Sequence, residues 1–312
     1  MTDEQTERRD AHHTRGEGRD AVTDEPLADE FVPPGPEVHR IQLAFPARGP
    51  QGPIDGVALV TIDRPEVRNA LDAATIDALR RLFVQLSKEK PAALRVVVLA
   101  GAGNVFCAGA DIAEMRASAE LTREQNEADA MALSEMLDSI DRCPVPVIAR
   151  VQGAALGGGM GLCAVSDLVI AEAGARFGFT ETRLGILPSV IAPFVVAKIG
   201  ETHARALFPG GRRFDAIRAT RIGLVHEVVE GEPGLDAAVE AAVADILASG
   251  PTAVRAAKAI VREVRGLPHA STRWHTARRI ATQRVAAEGQ EGLRAFLERR
   301  RPAWQVDDEV ES

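Results

Sequence analysis

The chain has 312 residues, 46% of them hydrophobic and 26% charged, enough apolar material for a large buried core, which excludes a disordered or fibrous protein. Its net charge of −8 is uneven: residues 1–40 hold 11 acids against 5 arginines, and the body that follows is nearly neutral. The three cysteines, Cys107, Cys143 and Cys163, form no CxxC pair and have no histidine at ligand spacing, so neither a disulfide framework nor a zinc site is expected. No leader-like apolar segment opens the chain, and no apolar run nears the roughly 18–20 residues that span a bilayer, so a soluble, cytoplasmic protein without a membrane partner is expected.

In chain order, residues 1–38 mix Asp, Glu, Arg, His and Thr and run into Pro33-Pro34-Gly35-Pro36, a composition that buries too little surface to offset ordering entropy. This segment reads as a disordered acidic tail. Apolar runs at Ile41 to Phe45 and Val57 to Ile62, separated by a Gly/Pro-rich loop, predict a hairpin. Asp72 is placed as an N-cap ahead of Ile76, Leu79, Phe83 and Leu86, whose spacing draws one apolar stripe that should face a sheet. Val96 to Leu99 reads as a strand buried on both faces, which implies a parallel sheet. A polar helix follows, with Leu133, Met136, Leu137 and Ile140 on one face, and then strands at Val145 to Val151 and Leu168 to Ala171. Weaker strands, read as a pair, are expected at Arg176 to Phe179 and Leu224 to Val229, and the sequence is helical from Leu235 onward. The alternation predicts an α/β core over residues 39–235 and a C-terminal helical region over 236–306.

Two glycine-rich segments follow strands: Val105 to Ile112, containing Ala108-Gly109-Ala110-Asp111, and Gly153 to Gly161, containing Gly157-Gly158-Gly159. Small residues there let main chain approach a ligand, although turns alone also use them. A helix N-terminus carries unpaired N–H donors and partial positive charge, so the triple glycine could receive an anion. Neither GxGxxG nor GxxxxGK[ST] is present, so no dinucleotide or P-loop site is expected.

Six segments in order carry a resemblance. Arg64 to Leu71, Phe106 to Ile112, Gly153 to Gly159, Phe177-Gly178-Phe179-Thr180-Glu181 with Leu184-Gly185, Ala219 to Val225, and Glu291 to Trp304 together resemble the motif series of the enoyl-CoA hydratase/isomerase (crotonase) superfamily over about His39 to Trp304. The resemblance implies an α/β, crotonase-like spiral of ββα turns with a C-terminal helical trimerisation region, giving a homotrimer or hexamer. It implies an acyl-CoA substrate, with coenzyme A entering as part of it and no other cofactor. In the family two backbone N–H groups polarise the thioester carbonyl, and by position these are Ala110 and Gly158. Arg68, Ala70, Ala108, Asp111 and Ile112 match segments beside the coenzyme, although Asp111 and Glu114 also suit structural roles. Lys258, Phe296 and Arg299 match C-terminal positions that approach the coenzyme in relatives, often from a neighbouring subunit, and each also suits a core or solvated helix face.

Two-glutamate hydratases of the family place one carboxylate just after the triple glycine and another in the FG..E segment. Here the second is Glu181 and the first position is Gly161. Glu181 is the expected general acid/base; its other reading is an N-cap or an ion pair with Arg183. The variant around Gly161, with Glu181 to Pro188 and Ala192-Pro193-Phe194, resembles the branch of methylglutaconyl-CoA-type hydratases, which implies hydration of a short or branched enoyl-CoA. A Δ3,Δ2-enoyl-CoA isomerase is the alternative, since one base can move a proton between C2 and C4. Outside this chemistry stand a catalytically silent scaffold and an RNA-binding member. The latter would use residues 251–302, with 12 Lys/Arg against 4 Glu, but that stretch lacks interleaved aromatics beyond Trp274 and Phe296 and nucleic acid is not the expected partner.

Overall fold

The computed structural model describes residues 41–44, 56–90 and 92–305. The acidic tail expected over 1–38 lies outside the described residues. Strands β1 (Ile41–Ala44) and β2 (Gly56–Ile62) pair antiparallel, as the two apolar runs predict. Helix α1 (Ala73–Leu86) follows, then β3 (Leu94–Gly101), α2 (Ile112–Ser118), α3 (Arg123–Asp141), β4 (Val147–Val151), β5 (Ala154–Leu156), α4 (Gly158–Val165), β6 (Leu168–Glu172) and β7 (Arg176–Gly178). The chain continues through a 3-10 turn at Glu181–Leu184, α5 (Ala192–Leu207, interrupted at Gly200), β8 (Phe214–Asp215), α6 (Ala216–Arg221) and β9 (Glu227–Val229). Four helices close it: α7 (Gly231–Leu247), α8 (Pro251–Val264), α9 (His269–Val285) and α10 (Ala287–Glu298). No single helix among the described residues is long and apolar enough to cross a membrane.

The main sheet has the order β1-β2-β3-β4-β6-β9 and is parallel apart from its β1–β2 edge. Period-two alternation explains why β3 reads as an unbroken apolar run. Val97 and Leu99 enter the main core with Val60, Leu79, Phe83, Leu137 and Ile140, whereas Val96 and Val98 face the other side with Ile148, Ile170 and the α7 residues Leu235, Val239 and Val243. The boundary read at 235/236 therefore falls inside a helix that covers the sheet. Asp72 caps α1 as expected, its carboxylate accepting from Thr75 N–H at 2.8 Å, and the stripe Leu79, Phe83 and Leu86 is buried.

A second sheet has the order β5-β7-β8. The segments expected as one strand pair belong to different sheets: β7 bonds to β5 and β8, while β9 bonds to β6. Leu224 and Val225, read as strand, instead form a buried turn whose N–H groups both donate to Ala219 O, at 3.0 and 3.2 Å. Following the C-terminal ends of β3 and β4, the chain enters the two glycine-rich segments, so the sheet presents them together.

Candidate active site

Arg64 organises the approach to the first glycine segment. Its guanidinium, 11% exposed, lies 2.8 Å from Asp111 Oδ2 and 3.0 Å from Asp72 Oδ2, and it also donates to the Ala70 carbonyl. Asn69 is fully buried at φ 55°, a left-handed conformation that asparagine tolerates better than most residues. Its side chain accepts from Arg64 N–H at 2.9 Å and donates to Ala102 O and Val105 O at 2.8 and 2.6 Å. These bonds lock residues 64–72 against 102–111. The motif series contains both residues, but the sequence reading gave them no role; the signal available was an arginine and an asparagine ahead of a capping aspartate.

Leu71 and Ala110 form a parallel bridge in which Leu71 N–H donates to Gly109 O at 2.7 Å and Asp111 N–H donates to Leu71 O at 3.0 Å. In that pattern the N–H of Ala110 turns away from Leu71. On the opposite side stands the second segment. A Cβ on Gly109 would lie 2.9 Å from Leu156 O and 3.6 Å from Gly157 Cα, and one on Gly158 would lie 3.9 Å from both Cα and C of Gly109, the carbon bonded to the Ala110 nitrogen. Gly157 adopts φ 48°, ψ −114°, a conformation for which glycine is required, and so turns β5 directly into α4. Gly158 is the first residue of that helix. Met160 and Gly161 donate back to Gly157 O, at 2.9 and 3.3 Å, whereas the N–H groups of Ala110 and Gly158 find no acceptor among the described residues. Two free donors thus sit together at the positive end of a helix.

Glu181 completes the cluster. A Cβ on Gly157 would stand 3.5 Å from its Oε1 and 3.8 Å from its Cδ, so the carboxylate lies against the turn that delivers Gly158. Its Oε2 is buried and has no hydrogen-bond partner among the described residues. Burial pushes its pKa above the ordinary glutamate value. Among the described residues Glu181 forms no ion pair with Arg183, and it lies in the first turn of the 3-10 segment after the Thr180 N-cap, where no side chain makes a capping bond. Such an arrangement can stabilise an oxyanion on two amides while a carboxylate holds or delivers a proton next to it.

The remaining expected residues divide into two groups. Arg68, Ala70, Ala108, Asp111 and Ile112 gather around Ala110: Ala108 N–H donates to Arg68 O at 3.0 Å, Arg68 is exposed at φ 57°, and Ile112 is 67% exposed at the head of α2. The Asp111 carboxylate is engaged within the protein, capping α2 through Ala113 N–H at 2.8 Å and pairing with Arg64, and the first of these interactions leads in lowering its pKa. These contacts are of the kind its structural reading expects. Phe296, 81% exposed, and Arg299, which ends α10 at φ 56°, belong to a helix that packs on α8 and α9 rather than on the glycine segments. The Lys258 ammonium donates to Val145 O at 2.9 Å and to Asp167 Oδ2 at 2.6 Å. Other basic residues of 251–302 also pair with acids, Arg262 with Asp141, Arg279 with Glu263 and Arg300 with Glu291 and Glu298, which supports the reading of that stretch as paired helix faces. Among the described residues no cluster of His, Cys, Asp and Glu is arranged to hold a metal ion.

The family model for enoyl-CoA hydratase/isomerase matches residues 54–307. The mevalonyl-coenzyme A hydratase sidH of Aspergillus fumigatus is 33% identical over 261 residues, covering 81% of this chain and 92% of that protein. The enoyl-CoA isomerase/hydratase fer4 of Mycosarcoma maydis is 32% identical over 284 residues, covering 84% and 97%. Among solved structures, an enoyl-CoA hydratase from Shewanella pealeana superposes with a TM-score of 0.78 at 34% identity, covering 86% of this chain and 97% of that one.

Proposed function

The chain belongs to the enoyl-CoA hydratase/isomerase family, and within it we propose a hydratase that adds water to, or removes it from, a short or branched acyl-CoA thioester. The observation that carries this reading is the convergence of Glu181 with the free amides of Ala110 and Gly158. The amides receive the thioester oxygen as it becomes an enolate, and each such donor is worth roughly 2.7–4 kcal/mol of barrier. Glu181 orients the water, accepts its proton and returns a proton to C2. Coenzyme A enters as part of the substrate, passing the Arg68–Ala70 and Ala108–Ile112 segments; no resident cofactor is proposed, and protein treated with a chelator should keep its turnover. Loss of activity on chelation, restored by a metal, would overturn that part.

The exposed apolar side chains Val261, Trp274, Val285, Phe296 and Leu297 on the C-terminal helices support a homotrimeric or hexameric assembly in which Phe296 and Arg299 serve a neighbouring subunit. Three free, buried thiols suit the reducing, cytoplasmic setting we propose. Isomerisation is the second reading, favoured by the single carboxylate. A panel of enoyl-CoA thioesters turned over in ¹⁸O-labelled water separates the two. Label at C3 is expected; an isomerised product free of label would replace the hydratase by the isomerase.

A further inference from the structure

Gly161 stands where two-glutamate relatives carry a carboxylate, and its surroundings bear on whether a carboxylate could stand there. Residues 157, 158 and 161 share one side of the first turn of α4, and a Cα–Cβ bond in a helix tilts toward its N-terminus. A side chain at 161 would therefore extend toward Gly157 and Gly158, the part of the helix against which Glu181 lies. The first atom of such a side chain is already crowded. A Cβ on Gly161 would meet Ile191 Cγ2 at 2.7 Å and the two Leu137 methyls at 3.3 Å. Neither neighbour can readily withdraw: Leu137 is fully buried in α3, and Ile191 is 2% exposed, has a β-branched side chain restricted at χ1, and begins α5 by accepting from Val195 N–H at 3.0 Å.

We infer that Ile191, backed by Leu137, determines the chemistry of this chain by excluding a second carboxylate, so that Glu181 alone handles water and proton. The inference rests on the reading of Glu181 as the proton carrier. It assigns to Ile191 a specificity role through packing, without contact to substrate. The absence of a second acid is thus a property of three elements, α3, α4 and the start of α5, and substitution at 161 alone does not reverse it.

A four-member set tests this: wild type, Gly161→Glu, Ile191→Ala and the double variant, each measured for thermal melting and for the pH dependence of kcat/KM on an enoyl-CoA that the wild type turns over. Melting needs no substrate, so it remains informative if the hydratase reading fails. Gly161→Glu alone should lower the melting temperature strongly or yield insoluble protein. Ile191→Ala removes the clashing methyl, so adding Gly161→Glu to it should cost clearly less than adding it to the wild type. The double variant should also show a second carboxylate ionisation in its pH profile, absent from Ile191→Ala. Equal penalties for Gly161→Glu in both backgrounds, including failure of both to fold, would overturn the inference. So would a double variant whose pH profile matches that of Ile191→Ala.

Discussion

Replacing Glu181 with Gln lowers turnover by roughly 10²–10⁴ and leaves acyl-CoA affinity within a few-fold, because the amide keeps the size of the side chain and loses only its basicity. Steady-state kinetics with a parallel binding measurement reads both quantities. Near-normal turnover would remove Glu181 from the mechanism whichever product formed. The pH profile supplies a sharper signature. Burial raises the Glu181 pKa, so the base becomes ionised only above the ordinary glutamate range, and kcat/KM should fall on the acid side with an inflection displaced upward. Stability should move in the opposite sense. A carboxyl whose pKa is raised in the folded state contributes stability below its unfolded pKa, and that contribution is lost as pH rises through the folded value. Above its folded pKa the ionised, largely buried Glu181 carboxylate is therefore a burden on the fold, and there Glu181→Gln should melt no lower than the wild type.

Replacing Arg64 with Met costs about 3–5 kcal/mol of stability, because it leaves Asp72 and Asp111, 10% and 9% exposed, without the cation that lies between them. Denaturant unfolding measures the loss; a change under about 1 kcal/mol would show that the pair is solvated in practice. Turnover should fall as well, since Arg64 ties together Ala70 and Asp111, the residues that flank the Leu71–Ala110 bridge. The Asp111 pKa lies below its usual value through the Ala113 amide first and then Arg64. Such a group stabilises the fold above its unfolded pKa, and the contribution disappears as pH falls through the lower folded value. Acid sensitivity in that window should shrink in Arg64→Met and persist in part, because the Ala113 bond remains.

Much of this site was legible because its chemistry resides in backbone. Small residues at two strand ends mark Ala108-Gly109-Ala110 and Gly157-Gly158-Gly159 as turns or close approaches, and the ordered motif series singles out Ala110 and Gly158 among them. Glu181 was legible from its motif, and Asp72 from its position ahead of an apolar stripe. What stayed hidden depends on partners distant in the chain. Nothing local to Arg176–Phe179 says that it pairs with β5 and β8 rather than with the segment near residue 227, because both segments have the same short apolar pattern. The Arg64 hub joins residues 64, 70, 72 and 111, and no periodicity links them. Lys258, which the sequence left between a coenzyme contact and a helix-face residue, bonds to Asp167, ninety-one positions away in sequence. The closure of position 161 by Ile191 is a packing fact, visible only once α3, α4 and α5 are assembled.

Turnover of an enoyl-CoA thioester in deuterated water, with the position of the label read by mass spectrometry or NMR, tests most directly whether water adds across the C2–C3 double bond with its proton carried by Glu181. The expected result is a 3-hydroxyacyl product with one deuterium bound at C2, formed by the wild type and lost together with turnover in Glu181→Gln. A hydrated product without carbon-bound deuterium, or one that Glu181→Gln forms at the wild-type rate, would contradict it.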